Sequence, residues 1–75
     1  MAVKITQLSA KPTARYPYNY RVGFEGNLHE CEQVGDWIEE QKLAGLTWLT
    51  SGNGGVSRVF YTTENPAMLC ALRWS

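Results

Sequence analysis

The side chains best suited to chemistry in this chain are one histidine and two cysteines. His29 lies two residues before Cys31, and Cys70 is far from both along the sequence. Structural zinc sites usually combine two close pairs of ligands, and His29 with Cys31 supplies only one such pair. An activated thiol needs cationic, partly open surroundings, whereas Cys31 lies between Glu30 and Glu32 and Cys70 lies in an apolar stretch. The sequence therefore predicts no catalytic residue, no metal site and no cofactor.

The charged residues are balanced in number but segregated along the chain. Seven basic and seven acidic residues give a formal net charge of zero, which argues against binding of nucleic acid by bulk electrostatics. Every charged residue from Met1 to Phe24 is basic, and every charged residue from Glu25 to Glu40 is acidic. Solvated helices usually mix charges of both signs at a spacing of four residues. No lysine is interleaved from Glu25 to Gln41, which favours a partner-binding surface, and a solvated helix face is the alternative interpretation. The acidic residues concerned are Glu30, Glu32, Asp36, Glu39 and Glu40.

A second candidate surface combines arginine with tyrosine in the N-terminal third of the chain. Arg15, Tyr16 and Arg21 have the composition that contacts single-stranded nucleic acid, in which bases stack on aromatic rings. Tyr18 and Tyr20 either extend this surface or alternate inward as core residues. The sequence leaves both alternatives open.

Length and composition are typical of one small domain spanning residues 1–75. The chain is 44% hydrophobic and holds three tryptophans, four tyrosines and two phenylalanines, which is enough aromatic material for a core. No apolar run approaches the ~20 residues that span a bilayer, and no secretion signal precedes the domain. We therefore expect a cytoplasmic protein with two reduced thiols and no contact with a membrane.

The hydrophobic pattern predicts four strands and two helices. Alternation of apolar and polar residues indicates the strands, and an apolar spacing of three and four residues indicates the helices. The predicted strands are Ala2–Leu8, Tyr18–Glu25, Leu46–Ser51 and Val56–Thr63, and the predicted helices begin near Gln33 and at Asn65–Pro66.

The two helices have predicted core faces and predicted ends. Val34, Trp37, Ile38 and Gln41 form the apolar stripe of the first helix, and Gly45 is a suitable residue to end it. Asn65 is the predicted cap of the second helix and Pro66 its first residue. Its predicted apolar stripe consists of Met68, Leu69 and Leu72.

The segment from Gly26 to Glu32 has two interpretations. In the favoured one, Gly26 and Asn27 form a turn and Leu28–Glu32 is a further strand, with Arg21 opposite Glu32. In the other, Asn27 caps a helix and Glu30 completes a capping box, although Gly35 in the helix interior then costs about 1 kcal/mol.

The resulting prediction is an α+β fold of order β-β-(β)-α-β-β-α. The hairpins form a small antiparallel sheet, and both helices pack on one of its faces.

Three segments resemble small orphan proteins of tailed bacteriophages, which share an aromatic strand, a short helix and a Leu-Arg-Trp-like end. These segments are Asp36–Glu40, Arg58–Thr62 and Ala71–Trp74. The resemblance transfers no active residue. It implies a protein made in the host cytoplasm that binds a host polymerase, nuclease or defence complex and inhibits or redirects it.

Three functions follow as hypotheses. The first is a non-catalytic protein-binding module that modulates a host protein through its acidic helix surface. The second is a single-stranded nucleic-acid-binding protein, and the third is a structural subunit that forms homo-oligomers through an open sheet edge.

Overall fold

A computed structural model of the chain describes residues 1–9, 11, 13–15, 17–52 and 54–74. Within these residues, strands and helices follow one another in the order β-β-α-β-β-α. The elements are β1 (Ala2–Gln7), β2 (Tyr20–Gly26), α1 (Leu28–Glu40), β3 (Gly45–Gly52), β4 (Gly55–Thr62) and α2 (Glu64–Trp74). This order confirms the predicted α+β class. No helix in the described part of the chain is long and apolar enough to cross a membrane.

The four strands form one antiparallel sheet in the order β1-β2-β4-β3. Val22 of β2 pairs with Ile5 of β1 on one side and with Phe60 of β4 on the other, and Phe60 pairs in turn with Thr47 of β3. The strands β1 and β3 therefore form the two edges of the sheet.

Both helices pack on the same face of the sheet and enclose the core. α1 lies over β2, β4 and β3, whereas α2 lies over β1 and β2. The buried cluster between the layers consists of Val22, Phe24, Val34, Ile38, Phe60, Ala67 and Cys70. Trp37 of α1 meets Trp74 of α2 edge to face, with ring centroids 5.9 Å apart, so the two helices also contact each other directly.

The favoured interpretation of Leu28–Glu32 as a strand is wrong, because these residues form the first turns of α1. The Asn27 side chain accepts from the Glu30 N–H at 2.8 Å, and the Glu30 carboxylate accepts from the Asn27 N–H at 3.1 Å. This capping box satisfies two donors that the helix itself leaves unpaired. Cys31 is fully buried below it and extends the stripe of Val34 by one turn. The predicted pairing of Arg21 with Glu32 is consequently absent.

Gly45 does not end α1, contrary to the prediction. The helix ends at Glu40, Lys42 takes the left-handed conformation with φ 54°, and the Leu43 N–H donates to the Ile38 carbonyl at 3.2 Å. This backbone arrangement closes the helix without a glycine. Gly45 is instead the first residue of β3.

The predicted apolar stripe of α2 faces solvent. Met68, Leu69 and Leu72 are 44%, 46% and 83% exposed, whereas Ala67 and Cys70 are fully buried. The helix approaches the sheet with its small residues, because the volume beneath it is already occupied by larger side chains from β1 and β2.

The predicted cap of α2 is displaced by two residues. The Thr63 carbonyl accepts from the Ala67 N–H at 3.2 Å, and the helix begins at Glu64 rather than at Pro66. Pro66 still lies in the first turn, where its missing N–H has no helical partner to lose.

Candidate interaction surfaces

The sheet face opposite the helices, here called the open sheet face, carries three rows of side chains. Because side chains alternate along a strand, the residues between the core residues of each strand point to this face. From β1 to β3 the rows are Thr6, Arg21, Tyr61 and Leu46; Lys4, Gly23, Val59 and Trp48; and Ala2, Glu25, Ser57 and Thr50.

The β3–β4 half of the open sheet face is aromatic. The rings of Trp48 and Tyr61 are stacked, with centroids 5.4 Å apart and planes inclined by 23°. They are diagonal neighbours on adjacent strands, a separation that aromatic side chains bridge. Val59 beside them is 5% exposed, whereas Trp48 and Leu46 remain 44% and 46% exposed. This half thus presents a large apolar surface that no described element covers.

The β1–β2 half of the open sheet face is cationic. Lys4 and Arg21 project from neighbouring strands, and Glu25 is the one acidic residue in the three rows. The Arg21 guanidinium reaches over Gly23, where Nη1 lies 3.6 Å from the position that a Cβ would occupy. These residues line a concavity of about 280 Å³ that continues to Val59. Arg21 and Tyr61 are direct cross-strand partners, so the cationic and aromatic halves adjoin.

The residues predicted to contact nucleic acid are only partly brought together. Arg21 lies on the open sheet face and Arg15 is exposed in the connection between β1 and β2, whereas Tyr16 lies outside the described residues. Tyr18 and Tyr20 are half-buried, and Tyr20 packs against the core, which favours the second of the two alternatives for this pair.

The aromatic part of this surface, Trp48 and Tyr61, was missed by sequence reasoning. Their positions alternate with Thr47 and Phe60, so the strand pattern contained them. The pattern did not indicate which of the two alternating sets of side chains the helices would cover.

Four of the five predicted acidic contact residues form one exposed surface on α1. We call this set the acidic helix surface, and it consists of Glu32, Asp36, Glu39 and Glu40. Within the described residues, none of these four carboxylates forms an ion pair. The surface belongs to the helical layer and therefore lies on the opposite side of the molecule from the open sheet face.

Glu30, the fifth predicted contact residue, forms its contacts within the chain. Its carboxylate completes the capping box with Asn27 and lies 3.5 Å from the amino group of Met1. The hydrogen bond from the Asn27 N–H, together with the nearby amino group, lowers the pKa of Glu30. These contacts assign Glu30 to the start of α1.

A groove of about 620 Å³ separates α1 from β3 and β4, and Arg58 lies along its floor. The Arg58 Nε donates to the Cys31 carbonyl at 2.7 Å, and Nη1 donates to the Thr47 hydroxyl at 3.0 Å. A Cβ on Gly35 would come within 2.6 Å of Nη2, so the glycine leaves room for the guanidinium against the helix. Arg58 thus joins α1 to the sheet instead of facing solvent.

The residues that suggested chemistry are arranged as follows. Cys31 and Cys70 are both free and fully buried, and burial raises the pKa of Cys70 to about 11. A thiol protonated in the core is a poor nucleophile. His29 is exposed on the first turn of α1. Across the described ranges, no group of three or more His, Cys, Asp or Glu side chains is positioned to hold a metal ion.

Comparison of the chain with protein-family models, with curated proteins and with solved structures gave no match. The open sheet face and the acidic helix surface are therefore the two features of the molecule that bear on its function.

Proposed function

We propose that this protein is a non-catalytic binding module that holds single-stranded nucleic acid on its open sheet face. The observation that carries the proposal is the stacked pair formed by the exposed Trp48 and the half-buried Tyr61, directly beside Arg21. Bases stack on aromatic side chains whatever their sequence, and arginine and lysine neutralise the phosphates that follow the bases. An uncovered antiparallel sheet with both kinds of residue is suited to this task.

The segregation of charge supports the proposal despite a net charge of zero. The carboxylates of the acidic helix surface lie in the helical layer, whereas Lys4 and Arg21 lie on the far side of the sheet. The local charge of the open sheet face is therefore positive. If Lys4 and Arg21 each neutralise one phosphate, the logarithm of the association constant should fall with the logarithm of the salt concentration with a slope of about −1.4.

The placement of the two halves predicts how the strand lies. The cations belong to β1 and β2 and the stacked aromatics to β3 and β4, so the phosphates would follow the first pair of strands. The bases would then point across the sheet toward Trp48. Leu46 extends the apolar surface on the same side.

Substitution of Trp48 by leucine tests the stacking surface while leaving an apolar side chain over Val59. We expect the dissociation constant for a short labelled oligonucleotide, measured by fluorescence anisotropy at low salt, to rise by roughly 5- to 150-fold. The reason is that stacking of one base contributes about 1–3 kcal/mol. Tyr61→Leu should act in the same direction.

Lysine substitutions provide the matched control. Lys4→Ala removes a cation from the open sheet face, whereas Lys42→Ala removes one beside α1. We expect only the first to weaken binding and to reduce the salt slope, by about 0.7. Absence of binding by the wild-type protein at low salt, or an equal effect of both lysine variants, would contradict the proposal.

A second candidate function is a protein-binding module that uses the acidic helix surface. The observation favouring it is that Glu32, Asp36, Glu39 and Glu40 are exposed without an ion-pair partner among the described residues. Such a surface is complementary to a basic protein surface. In this proposal the chain is a phage-encoded modulator of a host polymerase, nuclease or defence complex.

Charge reversal tests this second candidate. The double variant Glu39→Lys/Glu40→Lys should lose a host protein that the wild-type chain retains in affinity capture quantified by mass spectrometry. Glu64→Lys is the control, because Glu64 is an exposed acidic residue at the start of α2, outside the acidic helix surface. Equal retention of the host protein by the wild-type chain and by the double variant would contradict a role for the acidic helix surface.

A further inference from the structure

The edge strand β3 lacks the features by which sheet edges are normally protected. Its eight residues, Gly45–Gly52, include no charged residue and no proline. Each of the other strands carries at least one charge, such as Lys4 in β1, Arg21 in β2 and Arg58 in β4. An edge strand presents unpaired N–H and C=O groups, and natural sheets usually blunt such edges with lysine, proline or a bulge.

Apolar side chains are exposed on both faces of this edge. Leu46 and Trp48 lie on the open sheet face and are 46% and 44% exposed, and Leu49 lies on the helix side and is 39% exposed. Thr50 and Ser51 complete the exposed part of the strand. Among the residues that the structure describes, no further strand pairs with β3, which therefore offers an unpaired backbone edge together with apolar surface above and below it.

We propose that two copies of this chain associate by antiparallel pairing of β3 with β3 about a twofold axis. In such a pair the same strand faces itself, so a charge near the middle of the strand would lie close to its own copy. The uncharged β3 avoids this repulsion, whereas self-pairing of the opposite edge would bring two copies of Lys4 together. The lack of charge in β3 is thus a property that self-pairing requires.

The paired copies form one continuous sheet of eight strands, twice the four of a single chain. A twofold axis perpendicular to the sheet keeps both helical layers on one side and both open sheet faces on the other. The two Trp48–Tyr61 pairs then lie on either side of the axis, and the aromatic surface is doubled. The self-pairing itself rests on the edge strand and does not depend on nucleic-acid binding.

The size of the contact predicts its strength. A single eight-residue edge with three exposed apolar side chains buries less than the roughly 800 Å² per partner of a standard stable interface. We therefore expect a weak, reversible dimer whose population rises with the protein concentration.

Sedimentation of the purified chain without nucleic acid tests the proposal. The mass should rise from 8.5 kDa toward twice that value as the concentration increases. Thr50→Lys places a lysine on the β3 edge and should weaken the dimer at least about tenfold. Thr6→Lys makes the same change on the β1 edge and on the same face, and should leave the dimer unaffected.

A second substitution keeps the test independent of one variant's folding. Leu49→Lys should weaken the dimer as Thr50→Lys does, and circular dichroism should show that both variants retain the native fold. A wild-type mass of 8.5 kDa at millimolar concentration would overturn the proposal. Equal weakening by Thr6→Lys and Thr50→Lys would also overturn it.

The same variants separate self-pairing from nucleic-acid binding. Leu49→Lys changes a side chain on the helix side and leaves the open sheet face as it is, so this monomeric variant should still bind the oligonucleotide. Failure of the nucleic-acid proposal would leave the concentration-dependent mass unchanged. Loss of self-association alone would leave oligonucleotide binding by the monomer intact.

Discussion

Replacement of Gly45 by alanine is expected to lower the free energy of unfolding by about 3 kcal/mol. Gly45 has φ 156°, a conformation that residues with a side chain rarely adopt. An added Cβ would collide with the Tyr61 carbonyl oxygen and lie 2.5 Å from Cε1 of Phe60. The backbone oxygen belongs to the central strand β4 and cannot move without breaking the ladder, so the strain adds to the overlap.

Two other glycines of the β3–β4 hairpin separate the contribution of backbone strain from that of steric overlap. Gly54 has φ 108° with nothing within 4 Å of the added Cβ, whereas Gly52 has the same open space but does not have a positive φ. We expect Gly45→Ala to destabilise most, Gly54→Ala by about 1 kcal/mol, and Gly52→Ala least. Urea denaturation at constant m-value measures all three. A Gly45→Ala effect no larger than that of Gly54→Ala would show that β4 yields to the added methyl group.

Replacement of Gly35 by alanine is expected to destabilise the protein by about 2 kcal/mol, although alanine is the better helix former. The added Cβ would lie 2.6 Å from Nη2 and 2.7 Å from Cζ of Arg58. The guanidinium would have to shift away from α1, which disturbs its hydrogen bonds to the Cys31 carbonyl and the Thr47 hydroxyl at 2.7 and 3.0 Å. Hydrogen bonds to a charged group contribute about 1.5–3 kcal/mol each, which exceeds the gain of about 1 kcal/mol in helix propensity.

A double-mutant cycle isolates this interaction. Arg58→Met alone should destabilise by about 2 kcal/mol, because methionine fills part of the space without donating a hydrogen bond. In that background Gly35→Ala should become neutral or stabilising by up to about 1 kcal/mol, since no guanidinium remains to be displaced. Urea denaturation of the four proteins gives the coupling free energy. Additive effects of the two substitutions would contradict the proposed contact between Gly35 and Arg58.

The start of α1 shows why local reasoning chose the wrong interpretation for Leu28–Glu32. The capping box of Asn27 and Glu30 was visible in the sequence, and so was the penalty of Gly35 inside a helix. The space that Gly35 leaves for Arg58 was not visible, because Arg58 comes from β4, more than 20 residues along the chain. A residue that is unfavourable in an isolated helix is favourable where a side chain from another element packs against it.

The candidate surfaces were predictable to different degrees. The acidic helix surface followed from the run of acidic residues and from the helical period, which placed Asp36, Glu39 and Glu40 outward. The aromatic pair did not follow, because Trp48 and Tyr61 have the same alternation as the core positions next to them. The predicted core face of α2 was wrong for a related reason. The larger apolar residues of that helix were expected to be buried, whereas its small residues face the core.

The sequence by itself determined the class of fold, the number of helices and the segregation of charge. It also determined the ends of the four strands of the sheet to within about two residues. These properties depend on local periodicity and on residue type, which act over a few positions. Only the tertiary structure decided which sheet face the helices cover, which side of α2 is buried and where Arg58 lies. Those outcomes depend on the volume available between distant elements, and a local pattern contains no information about that volume.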